Sequence, residues 1–97
     1  MAYRVEIDRR AQKALAVILK SARKDFERIE KAIDNLAKDP RPPGVKRLTS
    51  RAPGFRMRVG EYRVIYAIFD TDELVKVALV ARRGERTYDD LERLLGT

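Results

Sequence analysis

The chain contains neither cysteine nor histidine. Without cysteine it can form no disulfide and has no thiolate to act as a nucleophile. The absence of both residues excludes zinc sites of the usual kind, serine and cysteine triads, and ribonuclease chemistry that depends on histidine. Any catalysis must therefore rely on other side chains.

Long apolar runs are also missing. None approaches the roughly 18 residues of a membrane span, and a strand-like run rather than the apolar stretch of a signal peptide follows Met1. We therefore expect a cytoplasmic protein that does not enter a membrane. The length of 97 residues predicts one domain over residues 1–97 with a single modest core.

Positive charge is in excess, with 22 Lys and Arg against 15 Asp and Glu and a formal net charge of +7. A protein with this balance is expected to bind an anion, which can be a nucleic acid, an acidic protein or a membrane surface.

A predicted β-hairpin organises the chain. Two alternating runs flank Gly60-Glu61, which is typical of a two-residue hairpin loop with glycine in its first position. If Val59 and Tyr62 close this loop, Arg58 faces Arg63 on the neighbouring strand.

Alternation along the strands divides the hairpin into two faces. One face is apolar and holds Phe55, Met57, Val59, Val64 and Tyr66. The other face holds Arg56, Arg58 and Arg63. Like charges directly opposite each other destabilise a sheet by a fraction of a kcal/mol up to about 1 kcal/mol. The simplest use for such a face is to hold something polyanionic.

The remaining elements are predicted from periodicity and from residues that start or stop helices. A short strand over residues 3–7 precedes a helix with Asp8 as its N-cap, and Ser21 is predicted to cap a second helix. The proline-rich segment 39–44 ends the helical part.

After the hairpin, a three-residue turn is expected to place Phe69 opposite Glu73 at the start of the last strand. That strand is predicted over Glu73–Ala81, and this register puts Arg83 on the strand face of Arg63. A short helix over Asp89–Leu95 ends the chain. We predict an α+β fold in the order β-α-α-β-β-β-α, with a small antiparallel sheet and the helical pair on the Met57 and Val64 face.

Several segments resemble the RelE/ParE toxins of type II toxin–antitoxin systems. They are the opening residues 3–7, Asp39-Pro40 with the basic loop to Leu48, the hairpin residues 55–66, and Arg82-Arg83 followed by Tyr88. The match covers nearly the whole chain, and the hairpin is its most specific part. The resemblance implies a RelE-like fold.

RelE-like members cleave messenger RNA in the ribosomal A site without a metal, so the resemblance implies an endoribonuclease with no cofactor. The catalytic positions that it implies are Arg56, Arg58, Arg63, Arg83 and Tyr88. The spacing to Tyr88 leaves Arg82 as an alternative to Arg83. The other basic residues that we expect to bind RNA are Lys46, Arg47, Arg51, Arg82 and Arg86.

The resemblance leaves two other functions open. ParE-like members inhibit DNA gyrase, and a toxin-like domain without activity would serve as a binding module only. Arginines stand where the best-known RelE pattern has lysines, which favours electrostatic stabilisation over proton transfer because arginine stays protonated. The expected partners are messenger RNA, the ribosome and an antitoxin that is acidic, DNA-binding and RelB-like.

Overall fold

A computed structural model describes residues 2–48 and 54–83 of the chain. The first strand, β1 (Arg4–Ile7), precedes two helices, α1 (Arg9–Ser21) and α2 (Arg23–Asn35). Four further strands follow: β2 (Lys46–Arg47), β3 (Gly54–Val59), β4 (Tyr62–Phe69) and β5 (Leu74–Arg82). No helix in the described ranges is long and apolar enough to cross a membrane.

The five strands form one sheet in the order β1-β5-β4-β3-β2. All neighbouring strands are antiparallel except β1 and β5, which are parallel. The predicted α+β fold is confirmed, with two refinements. The sheet contains this one parallel pair, and the short strand β2 lies in a segment without a clear strand period. The predicted terminal helix lies outside the described residues, and the single domain over 1–97 stays a prediction.

Both helices pack on one face of the sheet, as expected. The core between the layers includes Ile29 and Ile33 from α2 and Val64 and Tyr66 from β4, all of them buried. The apolar stripe of α2 therefore covers the Met57 and Val64 face, and the opposite face of the sheet carries the arginines of the hairpin.

The predicted cap at Ser21 is wrong. Ser21 is the last residue of α1, and its hydroxyl donates a hydrogen bond to the carbonyl of Val17 at 2.9 Å. Serine in a helix often bonds back to the carbonyl four residues earlier, which removes it as a cap for the next helix. Ala22 takes the N-cap position of α2. Asp8 takes the predicted N-cap position of α1, although its side chain makes no capping hydrogen bond.

The hairpin register is confirmed. Val59 pairs with Tyr62, and Arg58 pairs with Arg63. Gly60 has a φ of +59°, a left-handed conformation that glycine adopts without steric cost, so the two-residue loop forms where the sequence predicts it.

The predicted register between β4 and β5 is wrong by one residue, because Phe69 pairs with Leu74 instead of Glu73. The turn holds four residues instead of three, and Glu73 takes a left-handed φ of +49°. A bulge at Ala78, where Tyr66 pairs with Val77 but Ile65 pairs with Leu79, then shifts the register again. The two shifts together restore the face that the sequence predicts for Arg83.

Candidate functional site

A basic cleft lies at the end of the sheet where β3 turns into β4. Its volume is about 390 Å³. Among the described residues, those that line it are Arg58, Gly60, Glu61, Arg63, Arg82 and Arg83. Four arginines against one glutamate give this described part of the lining a formal charge of +3, which fits an anionic ligand.

Arg63 is the buried arginine of the cleft lining. It lies opposite Arg58 on β3 and opposite Ala81 on β5, and only 6% of its surface is exposed. Its Nη1 donates a hydrogen bond to the carbonyl of Tyr62 at 3.1 Å. In the described ranges every buried side-chain nitrogen or oxygen has a hydrogen-bond partner. The Arg63 guanidinium is therefore held in place by the protein before any ligand binds.

Arg83 belongs to the same face as Arg63. Beyond the bulge Arg63 pairs with Ala81, and side chains alternate along a strand, so the position two residues after Ala81 returns to the arginine face. The backbone N–H of Arg83 donates to the carbonyl of Glu61 at 2.8 Å, which fixes the chain beside the hairpin loop.

Arg82 is placed differently from Arg83. It pairs with Tyr62, whose side chain belongs to the core between sheet and helices. Its Nη2 lies 3.4 Å from Oε2 of Glu61, in an exposed ion pair at the rim of the cleft. Sequence reasoning missed Glu61 as a cleft residue. Its position as the second loop residue of the hairpin was the available signal.

A second like-charge pair extends the basic face toward the edge of the sheet. Lys46 on β2 lies opposite Arg56 on β3, and Arg56 in turn lies opposite Ile65 on β4. Arg47 pairs with Phe55 and therefore belongs to the other face. The structure thus brings Lys46 together with the arginines of β3 and separates Arg47 from them.

Apolar residues form the floor of the arginine face. This small cluster consists of Leu48, Ile65, Leu79 and Ala81, each at most 5% exposed. These buried apolar residues share the face of the sheet with the arginines of the hairpin.

Three predicted site residues, Arg51, Arg86 and Tyr88, lie outside the described residues. Among the described residues no three acidic side chains cluster in a way that would hold a metal ion.

The helix layer contributes one arginine to the neighbourhood of the cleft. A Cβ built on Gly60 would lie 3.5 Å from both terminal nitrogens of Arg28 and 3.6 Å from its Cζ. These nearly equal distances show that the guanidinium turns its flat side toward the hairpin tip.

The family model for the ParE toxin of type II toxin–antitoxin systems matches residues 5–87. The chain belongs to the RelE/ParE toxin superfamily. It is therefore a toxin of a type II toxin–antitoxin system, as the motifs of the hairpin implied. No significant match is found among curated proteins.

Solved structures agree with this assignment. A chain of the archaeal RelE–RelB complex from Pyrococcus horikoshii is 31% identical to this toxin, with a TM-score of 0.73 over 88% of this chain and 99% of that one. A chain of the RelBE2 toxin–antitoxin complex from Mycobacterium tuberculosis is 25% identical, with a TM-score of 0.72 over 86% and 100%.

A third structure, the YoeB/ParE toxin from Agrobacterium tumefaciens, is only 14% identical but has a TM-score of 0.73 over 82% of this chain and 98% of that one. At this identity the similarity supports the fold alone.

Proposed function

We propose that this toxin is an endoribonuclease that cleaves messenger RNA on the ribosome, in the cytoplasm and without a metal or other cofactor. The observation that carries the proposal is the position of Arg58 opposite Arg63 in a cleft lined by four arginines. Two opposed arginines destabilise an empty sheet, whereas a phosphodiester between them would be bound by both. The identity of 31% to a chain of a RelE–RelB complex supports the RelE-like activity.

In the proposed reaction the 2′-hydroxyl of the RNA attacks the adjacent phosphorus. The 2′-oxygen loses its proton and bonds to phosphorus, while the bond to the 5′-oxygen breaks and that oxygen gains a proton. Extra negative charge develops on the phosphoryl oxygens in the transition state, so fixed cations beside them accelerate the reaction.

Arginine side chains suit this electrostatic role. Their planar forks donate paired hydrogen bonds to phosphate oxygens and keep their charge at any physiological pH. We assign transition-state stabilisation to Arg58, Arg63 and Arg83 in the cleft and to Arg56 beside it. Arg83 is preferred over Arg82 because Arg82 pairs with Tyr62 on the other face and with Glu61 at the rim.

Proton transfer requires another group, because arginine cannot accept a proton near neutral pH. Tyr88 remains the predicted candidate for handling a proton or stacking on a base. An ordinary phenol titrates near pH 10, so it needs neighbouring cations to ionise more readily. A ribosome that supplies part of the chemistry would also explain the proposed dependence on it.

Binding of the RNA strand outside the cleft is assigned to the remaining basic residues. Lys46 lies beside Arg56 on the arginine face, and Arg82 lies at the rim. Arg47 lies on the other face and opposite Phe55, away from the tip of the hairpin, so we do not assign it a contact with the same segment of RNA. Arg51 and Arg86 stay predictions.

The proposed protein partner is an antitoxin of the RelB type, acidic and with a DNA-binding part. Two of the similar solved structures are complexes of a RelE-type toxin with its antitoxin. The net charge of +7 favours an acidic partner segment.

The test is to express the toxin and its Arg63→Ala/Arg83→Ala variant without antitoxin. The parent should arrest translation and leave messages cut within codons on the ribosome, and the variant should do neither while it keeps its helical circular dichroism. A variant as toxic as the parent would show that the assignment of the site is wrong.

Inhibition of DNA gyrase is the second candidate function, because the matching family model is that of the ParE toxins. It predicts a different cellular response to expression. A DNA-damage response with intact messenger RNA would favour gyrase inhibition, and a translation block with cut messages would exclude it.

A further inference from the structure

Arg28 is the arginine of the helix layer that faces the tip of the hairpin. Its side chain extends from α2 and turns the flat side of its guanidinium toward Gly60, at the distances given above. Gly60 itself lines the basic cleft. The guanidinium of Arg28 therefore lies against the hairpin tip on the side that the helices cover, next to a residue of the cleft lining.

Arg28 makes no ion pair with any acid in residues 2–48 and 54–83. The residues four positions away on the helix are Lys24 and Ala32, neither of which is acidic. Burial and, after it, the nearby charge of Asp25 raise the pKa of the Tyr62 hydroxyl, which places Asp25, three positions before Arg28, close to Tyr62.

Arg23 on the same helix provides a contrast. Both arginines are exposed, but Arg23 has its Nε 3.7 Å from Oε2 of Glu27 one turn later. Arg23 is thus the ordinary case of a helix-surface arginine with an acidic neighbour. In the described part of the chain Arg28 has no acid partner, and it lies next to a cleft whose described lining carries a formal charge of +3.

We propose that Arg28 binds a phosphate of the RNA strand next to the phosphate held in the cleft. This inference rests on the proposed RNA-cleaving function. Because this neighbouring phosphate does not react, its contact with Arg28 is made equally in the ground state and in the transition state. It is a substrate-positioning residue, so its loss should weaken binding without slowing the bound reaction.

The test uses the full-length toxin and ribosomes that carry a message with 2′-O-methyl riboses at the A-site codon, which blocks 2′-hydroxyl attack. Binding of the parent, Arg28→Gln, Arg28→Lys and the control Arg23→Gln is measured over a series of salt concentrations. Cleavage of the unmodified message gives kcat and KM for each protein. All four should show the same circular dichroism, because both positions are exposed.

Arg28→Gln should bind about tenfold more weakly at low salt, the size expected for one charge-assisted hydrogen bond. Its slope of log K against log salt concentration should become less negative by about 0.7, the value for one phosphate contact on a single strand. KM should rise while kcat stays within about twofold of the parent. Arg28→Lys should keep the parent's salt slope because it keeps the charge, and Arg23→Gln should match the parent.

Equal binding and salt slopes for the parent and Arg28→Gln would overturn the role of Arg28. Equal losses in Arg28→Gln and Arg23→Gln would overturn it too, because they would indicate a general effect of net charge. If the parent itself neither bound nor cleaved on these ribosomes, the proposed function would fail, and the assignment of Arg28 with it.

Discussion

The two ends of strand β4 use arginine in opposite ways. Beyond Phe69, both terminal nitrogens of Arg41 bond to the Asp70 carboxylate, at 2.9 and 3.3 Å, and Tyr3 donates to the same carboxylate at 2.6 Å. At the other end, Arg63 lies opposite Arg58 in the basic cleft. At one end an arginine is paired with a carboxylate, and at the other end two arginines lie opposite each other, which separates a structural use of arginine from a functional one.

The end of β4 at Asp70 also ties the irregular segments to the sheet. Arg41 belongs to the proline-rich segment after α2, and its guanidinium lies 5.4 Å from the centre of the Phe55 ring. The hydroxyl of Tyr66 donates to the carbonyl of Pro40 at 2.8 Å. These contacts position the connection between the helices and the sheet, and none of them involves a residue of the cleft.

The largest expected effect is on message cleavage, which should depend on the arginine cleft at one end of β4 and not on the ion pair at the other. Replacing Arg63 by Gln should lower the rate of message cleavage about 10²–10³-fold, the usual cost of one preorganised donor to transition-state charge. Asp70→Asn, at the other end, should leave the rate within about twofold. Single-turnover cleavage on programmed ribosomes measures both.

Arg63 is buried, so its replacement can also lower cleavage by disturbing the packing. Arg83→Gln separates the two causes, because Arg83 is an exposed residue of the same cleft and its replacement should lower cleavage with little effect on packing. Full cleavage by both variants would contradict the functional role of the cleft.

An intermediate effect belongs to the end of β4 at Asp70. Tyr66→Phe removes the hydrogen bond to Pro40 and should lower the free energy of unfolding by about 0.5–1.5 kcal/mol. Cleavage should stay unchanged. Urea denaturation of the parent and the variant measures the difference, and an equally large loss of cleavage would show that the two ends are not independent.

Tyr66 also predicts how stability responds to alkaline pH. Burial raises the pKa of its hydroxyl far above the ordinary value of 10.0. The unfolded chain therefore releases this proton near pH 10 while the folded chain keeps it, so the contribution to stability is complete below pH 10 and is lost as the pH rises. Tyr66→Phe should lose less stability between pH 9 and 11 than the parent. An equal loss would contradict this origin.

A smaller effect is expected from the ion pair itself. Hydrogen bonds from Arg41 and then from Tyr3 lower the pKa of Asp70. A carboxyl with a lowered pKa stabilises the fold above its ordinary pKa of 3.8 and loses this contribution as the pH falls through its folded value. Asp70→Asn should melt slightly below the parent at pH 7, and the difference should narrow as the pH falls below 3.8. Equal melting temperatures at pH 7 would show that the ion pair between Arg41 and Asp70 does not stabilise the fold.

Sequence reasoning succeeded where a short turn determines the register. The two-residue loop at Gly60-Glu61 leaves one pairing for the neighbouring strands, and that pairing brings Arg58 opposite Arg63. Sequence reasoning failed at the next turn. One of its four residues, Glu73, takes a left-handed conformation although it is not a glycine. The bulge at Ala78 shifts the register a second time and so returns Arg83 to the predicted face. The sequence pattern shows neither of the two shifts.

Contacts between the helices and the sheet could not be predicted from the sequence, for a different reason. Periodicity identifies which side of α2 is apolar, but not which loop the other residues of the helix approach. The position of Arg28 beside Gly60 depends on how the helix lies across the sheet. The strand pairing of Lys46 with Arg56 was equally hidden, because β2 has only two residues and shows no alternation.

The most direct test of the account measures stability and activity together in Arg58→Gln. This change removes one of two opposed positive charges, so the free energy of unfolding should rise by about 0.2–1 kcal/mol at low salt, and high salt should shrink the gain. Cleavage should fall at least tenfold. Arg47→Gln, on the same sheet but the other face, should change neither. A variant of Arg58 that is less stable than the parent, or as active, would contradict the claim that this end of the sheet gives up stability in order to bind RNA.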